Sequence, residues 1–325
     1  MRRREFLILL GGAAVVWPLG VGAQQKLMRF GYLASGAEAS GAPLLDAIKQ
    51  GLRENNLIER KDYLFDVRWA EGQYDRFPAF ARELVEQNAA VLIVTTIAGA
   101  RAAQRATTTI PIVMASMNDP VGSGLVASLA RPGGNTTGLA TLNQDVTPKL
   151  MEILHVLLPK STSIAVLFNP ANPSNLAYLD STRTAAGTIG VAVQAFELKT
   201  PAELNAVFDK FAARKPDALL VVPDAATLDL SDRIAALSLR DRIPVLATAP
   251  ELTAAGGLVS YGVSRRENYR RAGYFIRKIL DGTKPADLPV EQPTKIFLSI
   301  NLKTARAFGV SIPDAILVRA DEVIE

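Results

Sequence analysis

Between Val91 and Asp119 the chain carries a pattern that it repeats in its second half. Val91-Leu-Ile-Val-Thr-Thr96 is a short apolar run ending in hydroxyls, followed by the Ala-rich stretch Ala98 to Thr108 and a second run, Ile110-Pro-Ile-Val-Met-Ala115, that closes on Asn118-Asp119-Pro120. The later copy is Leu219-Leu-Val-Val-Pro-Asp224, then Ala225 to Arg242, then Ile243-Pro-Val-Leu-Ala-Thr248. An apolar, β-branched run too short for a helix, ending in Thr or Asp before a helical stretch, predicts a strand–turn–helix–strand unit.

The flanking segments extend both units. Leu27–Ala34 reads as a strand, Ser35–Gly41 as a polar turn, and Pro43–Asn55 as a helix spaced by Leu44, Leu45, Ile48 and Leu52. Tyr63–Trp69 alternates like a strand, and Asp75 is placed to cap a helix running to about Asn88, with Pro78 in its first turn. In the second half Ser163–Phe168 predicts a strand, about Ser174–Gly187 a helix, Val191–Leu198 a strand, and Pro201–Ala213 a helix opened by Thr200. Matching elements keep a nearly constant offset. The fold class expected is α/β, with two similar Rossmann-like lobes, each a parallel sheet with helices on both faces.

Three connections between the lobes are expected. Leu139–Leu142 leaves the first lobe for the helix Met151–Leu158. Gly256–Gly262 leaves the second for the helix Tyr269–Leu280, and Leu288–Pro293 crosses once more to a strand at Lys295–Ile300 and a helix at Asn301–Phe308. This divides the chain into a first lobe of residues 27–142 plus 263–290 and a second of 143–262 plus 291–325. Hinges fall near Thr141–Asp145, Gly262–Ser264 and Val290–Pro293.

Ligands of open parallel sheets bind beyond the carboxyl ends of the strands, where helix N-termini also point. In the first lobe those positions hold Ser35, Thr95, Thr96, Asn118 and Asp119. In the second they hold Phe168, Asn169, Asn172, Asp224 and Thr248, with Tyr261 on the second exit. If the lobes face each other, hydroxyls, amides and helix ends there suit a small polar or zwitterionic solute, with Asp224 or Asp119 available to an ammonium. Each also has a plainer role: Ser35, Thr95 and Asn169 as helix caps, Asp119 as a turn residue before Pro120, and Asp224 as the cap of the helix that follows.

Composition narrows the chemistry. The formal charge is +4, and Arg2, Arg3 and Arg4 less Glu5 supply half of it, so no basic stripe remains for nucleic acid. Arg2–Arg4, the apolar Phe6–Gly22 and the small residues Val21-Gly22-Ala23 form a signal-peptide pattern over residues 1–23, with cleavage expected near Ala23. Arg3-Arg4-Glu5-Phe6-Leu7 also fits a twin-arginine signal, so the Sec and twin-arginine routes both stay open. Phe6–Gly22 is too short and too interrupted by glycine and proline to span a membrane. The sequence has no cysteine, which excludes disulfides, thiol catalysis and a lipidated cleavage site. The product is therefore expected free in a periplasm, not inserted in the membrane. The sole histidine, His155, lies in a helix away from every candidate position. No serine-hydrolase elbow, zincin or Walker pattern occurs, so no catalytic residue, metal or cofactor is expected.

A set of longer strings carries a resemblance: Trp69-Ala-Glu-Gly72 with Asp75-Arg76 and Pro78, Asp119-Pro-Val-Gly-Ser-Gly-Leu-Val126, Leu129-Ala-Arg-Pro-Gly-Gly-Asn135, Asn169-Pro-Ala-Asn-Pro173, Ala255–Gly262, Pro285–Pro293 and Asn301-Leu-Lys-Thr-Ala305. In order, from Met28 to Glu325, they resemble the ABC-transporter substrate-binding protein family that includes the tryptophan/tyrosine-uptake binding proteins. The resemblance implies a type I periplasmic-binding-protein fold and a monomeric receptor that closes on a small-molecule solute. It implies delivery to an ABC permease with its ATPase subunit, the solute being an amino acid or an aromatic compound. A sensory module presenting the same kind of ligand to a membrane receptor is the alternative.

Overall fold

Strands written as continuous apolar runs are expected to be covered on both faces, and here they are. The computed structural model describes residues 27–141 and 143–325. The expected signal peptide, residues 1–23, and Leu142 in the first expected hinge lie outside the described residues.

The first sheet is built from β1 (Met28–Ala34), β2 (Tyr63–Trp69), β3 (Val91–Val94), β4 (Ile112–Asn118) and β5 (Thr136–Thr141), with α1 (Glu38–Glu54), α2 (Phe77–Glu86) and α3 (Ile97–Ala106) between them. Its strand order is β2-β1-β3-β4-β5, all parallel. After α4 (Asn143–Leu157) the second lobe follows the same plan with β6 (Ser163–Phe168), α5 (Pro173–Thr188), β7 (Ala192–Glu197), α6 (Leu204–Phe211), β8 (Ala218–Val221), α7 (Ala225–Asp229), α8 (Ser231–Asp241), β9 (Val245–Ala247), α9 (Pro250–Ala254) and β10 (Val259–Gly262). The order β7-β6-β8-β9-β10 repeats that of the first sheet strand for strand.

Alternation along single strands explains the double cover. On β3, Val91 and Ile93 enter one core cluster and Leu92 and Val94 the cluster on the opposite face. On β8, Ala218 and Leu220 face one cluster of the second lobe, Leu219 and Val221 the other. The edge strand β7 is polar by comparison, with Ala192, Ala195 and Glu197 exposed.

The chain then returns. α10 (Arg265–Leu280) packs on α1 and puts Tyr269, Ala272, Phe275 and Ile276 into the first lobe's core. The contact is backbone on backbone. A Cβ on Gly51 would sit 1.8 Å from the Arg270 carbonyl oxygen, and one on Gly273 would sit 2.3 Å from the Gly51 carbonyl carbon. β11 (Phe297–Asn301), α11 (Leu302–Phe308), α12 (Asp314–Leu317) and β12 (Glu322–Ile324) complete the second sheet.

Several local expectations change. The second sheet is not wholly parallel, because β11 re-enters it from the third crossing and runs antiparallel to β10. α1 starts at Glu38, so the expected Ser35–Gly41 turn is helical in its second half and Pro43 lies inside the helix. Asp75 and Thr200 cap nothing: Asp75 lies within a tight turn and Thr200 just ahead of another, and these turns lead into α2 and α6. The single helix expected over 225–242 is two, broken where Leu230 is drawn into the core, and Arg242 ends the second in the left-handed conformation at φ 53°.

Candidate functional site

Parallel strands deliver their last residues to one end of each sheet, and the two such ends face each other. Ser35 after β1, Thr95 and Thr96 after β3, Asn118 at the end of β4 and Thr141 at the end of β5 come from one lobe. Asn172, Asp224 and Thr248 come from the other. With Ser116, Ser174, Asn175, Tyr178 and Arg265 they line a cavity of about 760 Å³, its open mouth included.

On the first-lobe wall the hydroxyls are tied to the backbone. Thr95 Oγ1 accepts from the Ser35 N–H at 3.2 Å and donates to the Leu33 carbonyl at 3.3 Å. Thr96 Oγ1 caps α3 by accepting from the Gly99 N–H, and Asn118 Oδ1 accepts from the Thr141 hydroxyl. Ser116 is held from α10 by the Asn268 amide at 3.0 Å.

On the opposite wall Asp224 caps α7, its Oδ1 accepting from the Ala226 N–H at 3.2 Å and from Asn169 Nδ2 at 2.8 Å. Its Oδ2 accepts from Asn172 Nδ2 at 2.8 Å and, across the cleft, from the Tyr74 hydroxyl at 2.7 Å. The amide orientations are fixed independently, because the Asn169 and Asn172 oxygens accept from the N–H groups of Ala171 and Ser174. A carboxylate has about four acceptor positions, and all are filled from within the chain. Tyr74 stays a donor: burial first, and the charge of Asp224 second, raise its phenol well above the usual value.

Arg265 is the cation of the cleft. It is the first residue of α10, behind the Ser264 cap, and its side chain is 25% exposed. Its nearest ion pair is with Glu251 at 3.6 Å, and its guanidinium lies 5.8 Å from the Tyr269 ring centre. Burial works against its charge, but Tyr269, Glu251 and Tyr32 outweigh that and hold its pKa above the usual arginine value.

Among the described cavity-lining groups the buried Asn175 amide nitrogen has no hydrogen-bond partner, and the buried Tyr178 and Thr248 hydroxyls have only each other and Thr147 within reach. Asn175, Tyr178 and Thr248 are each 2% exposed. Burial pushes the Tyr178 phenol up to about 12, against a smaller opposing influence of the Thr147 and Thr248 hydroxyls. Unpaired buried polar atoms each cost about 1–3 kcal/mol, and a bound solute would relieve that.

Of the residues expected from the sequence, Ser35, Thr95, Thr96, Asn118, Asn172, Asp224 and Thr248 line this cavity. Asn169 stands behind Asp224 and holds it. Asp119 is exposed in a turn, accepting from the Gly122 N–H, and borders a separate hollow with Asn118 and Pro120. Phe168 is in the second lobe's core, and Tyr261 packs against the same cluster. His155 is exposed on α4. Tyr74, Asn175, Tyr178 and Arg265 are additions. The signal for Arg265 was a cation directly behind a helix cap, where the helix dipole disfavours it; the other three carry none. Among the described residues no group of three or more His, Cys, Asp or Glu is placed to hold a metal, and no helix is long and apolar enough to cross a membrane.

The fold has counterparts among known proteins. The chain is 26% identical over 272 residues to the tyrosine-binding protein of Clostridioides difficile strain R20291, a match covering 82% of this chain and 78% of that one. The ABC domain from Streptococcus pneumoniae in complex with L-Trp has the same fold, with a TM-score of 0.85 at 24% identity over 92% of this chain and 100% of that one. A conserved domain protein from Vibrio cholerae O1 biovar El Tor matches with a TM-score of 0.85 at 26% identity, again over 92% and 100%. The family described as ABC transporter substrate binding protein matches residues 40–324, and the chain belongs to that family.

Proposed function

We propose that this chain is the capture component of an ABC importer, exported to the periplasm, taking up one small solute between its lobes as a monomer and handing it to the permease and its ATPase subunit. The observation that carries this reading is the cavity between the carboxyl ends of the two sheets, with the buried Asn175 amide on its wall left for a ligand to satisfy. The charged N-terminal segment ahead of an apolar run supports export. The named ligands of the relatives, tyrosine and L-Trp, support an amino acid or an aromatic compound as the solute.

Closure is a shift toward the form in which both walls touch the solute. The Tyr74–Asp224 bond and the Ala37 N–H bond to Asp229 at 3.4 Å already join the lobes, and a ligand adds contacts to both. The test is a thermal-shift screen of refolded protein against amino acids, organic acids, sugars, nucleosides and polyamines. A ligand at about 100 times its dissociation constant adds about 2.7 kcal/mol, a shift of several degrees. One responsive class supports the reading; a folded protein that responds to none opposes it.

A further inference from the structure

The cavity is unbalanced in what it leaves open. Among the described residues lining it, Asp224 is the one carboxylate, and its acceptor positions are taken by Tyr74, Asn169, Asn172 and the Ala226 N–H. What remains unpaired is a donor, the Asn175 NH2 group; beside it the Tyr178 and Thr248 hydroxyls, within reach only of each other and Thr147, are also able to donate. Arg265 supplies a charge of the same preference, held at the N-terminal end of a 16-residue helix by a loose pair with the half-exposed Glu251. Donors and a guanidinium call for an acceptor-rich anion.

We infer that the solute is a small monocarboxylic acid carrying no ammonium group, seated with its carboxylate on Arg265 and its acceptors toward Asn175 and Thr248. The inference rests on the solute-receptor reading and narrows it. An α-amino acid brings an ammonium one carbon away from its carboxylate. With the carboxylate on Arg265, that second cation would enter the same partly buried space and find no lining carboxylate with an acceptor free, and burying an unpaired charge is costly. The acidic groups beside the cleft are both exposed: Asp229 is turned to the Ala37 N–H at the rim, and Glu251 is paired with Arg265 itself. Asp224 then serves closure, through Tyr74, and not recognition.

The test compares matched ligands by titration calorimetry on the mature chain: phenylpyruvate, whose 2-oxo group is the further acceptor, phenylalanine and phenethylamine as one set, 4-methyl-2-oxopentanoate, leucine and isopentylamine as another. The acid of at least one set is expected to bind tenfold or more tightly than its amino acid, the amines not at all. Arg265→Gln is expected to weaken the acid at least tenfold, and Arg265→Lys to restore part of the loss, which separates a lost charge from a lost fold. An amino acid that binds as tightly as its matched acid, an amine that binds, or acids that do not bind overturns the inference. If the acids fail while another class in the thermal-shift screen raises the melting temperature, the receptor reading stands and this one falls; if no class responds, both fall.

Discussion

Asp224 shows how one residue fills the role its sequence position suggests and a second that the sequence hides. A carboxylate after a strand and before a helix is a cap by default, and the Ala226 N–H confirms that it is one. Its remaining acceptor positions are consumed by two asparagines from the β6–α5 turn and by a tyrosine 150 residues away. Asp224→Asn, isosteric as it is, turns one acceptor into a donor facing other donors. It is expected to cost about 2–3 kcal/mol, read as a melting temperature lower by several degrees, and an unchanged melting temperature would count against the network. Cleft residues such as Thr96, Asn172 and Asp224 were legible because polar ends of apolar runs mark the carboxyl edge of a parallel sheet. Tyr74 and Arg265 were not, because each reaches the cleft from an element whose place depends on the whole fold.

At the level of elements, the α1–α10 contact decides where Arg265 stands. Gly51→Ala drives a methyl into the Arg270 carbonyl with backbone on both sides and no side chain able to yield. The expected loss is about 3 kcal/mol, measured by denaturant unfolding. A variant as stable as the wild type would mean that the helices are not in backbone contact. A second link ties the loop before β6 to the start of β8: Asp217 accepts from the Thr162 and Ser163 N–H groups at 2.8 and 3.0 Å and from both hydroxyls. Partial burial acts to raise its pKa, but these donors outweigh it and hold it below the usual carboxylate value. A lowered folded pKa stabilises the fold above the unfolded value of about 3.9 and ceases to as pH falls through the folded value. The melting-temperature gap between wild type and Asp217→Asn is therefore expected at neutral pH and to close in acid; a gap independent of pH would contradict the assignment. The paired strand–helix–strand units were readable because the apolar runs are long enough to betray two-sided burial. The start of α1, the break at Leu230 and the antiparallel β11 were not. A proline, a buried leucine and a re-entering chain act there through tertiary packing that no local pattern records.

For the whole molecule, two copies of one strand order face each other across a cleft that the Tyr74–Asp224 bond spans, and on the proposed closing motion that bond favours the closed form. Tyr74→Phe leaves both lobes' cores intact and removes the Asp224 contact. The closed form should lose about 1.5 kcal/mol, roughly tenfold in population. Small-angle scattering of the ligand-free chain would then give a larger radius of gyration than for wild type, and equal radii would show that the bond does not hold the lobes together. On the proposed function the solute binds in the inter-lobe cavity. The most direct measurement is calorimetric titration of the best ligand from the screen into wild type and into Ser174→Trp, which places an indole at a half-buried position on the cavity wall. One site per chain with a negative heat-capacity change in the wild type, and at least tenfold weaker binding in a Ser174→Trp variant that still melts cooperatively, is the expected result. Equal affinity in the two proteins would contradict it.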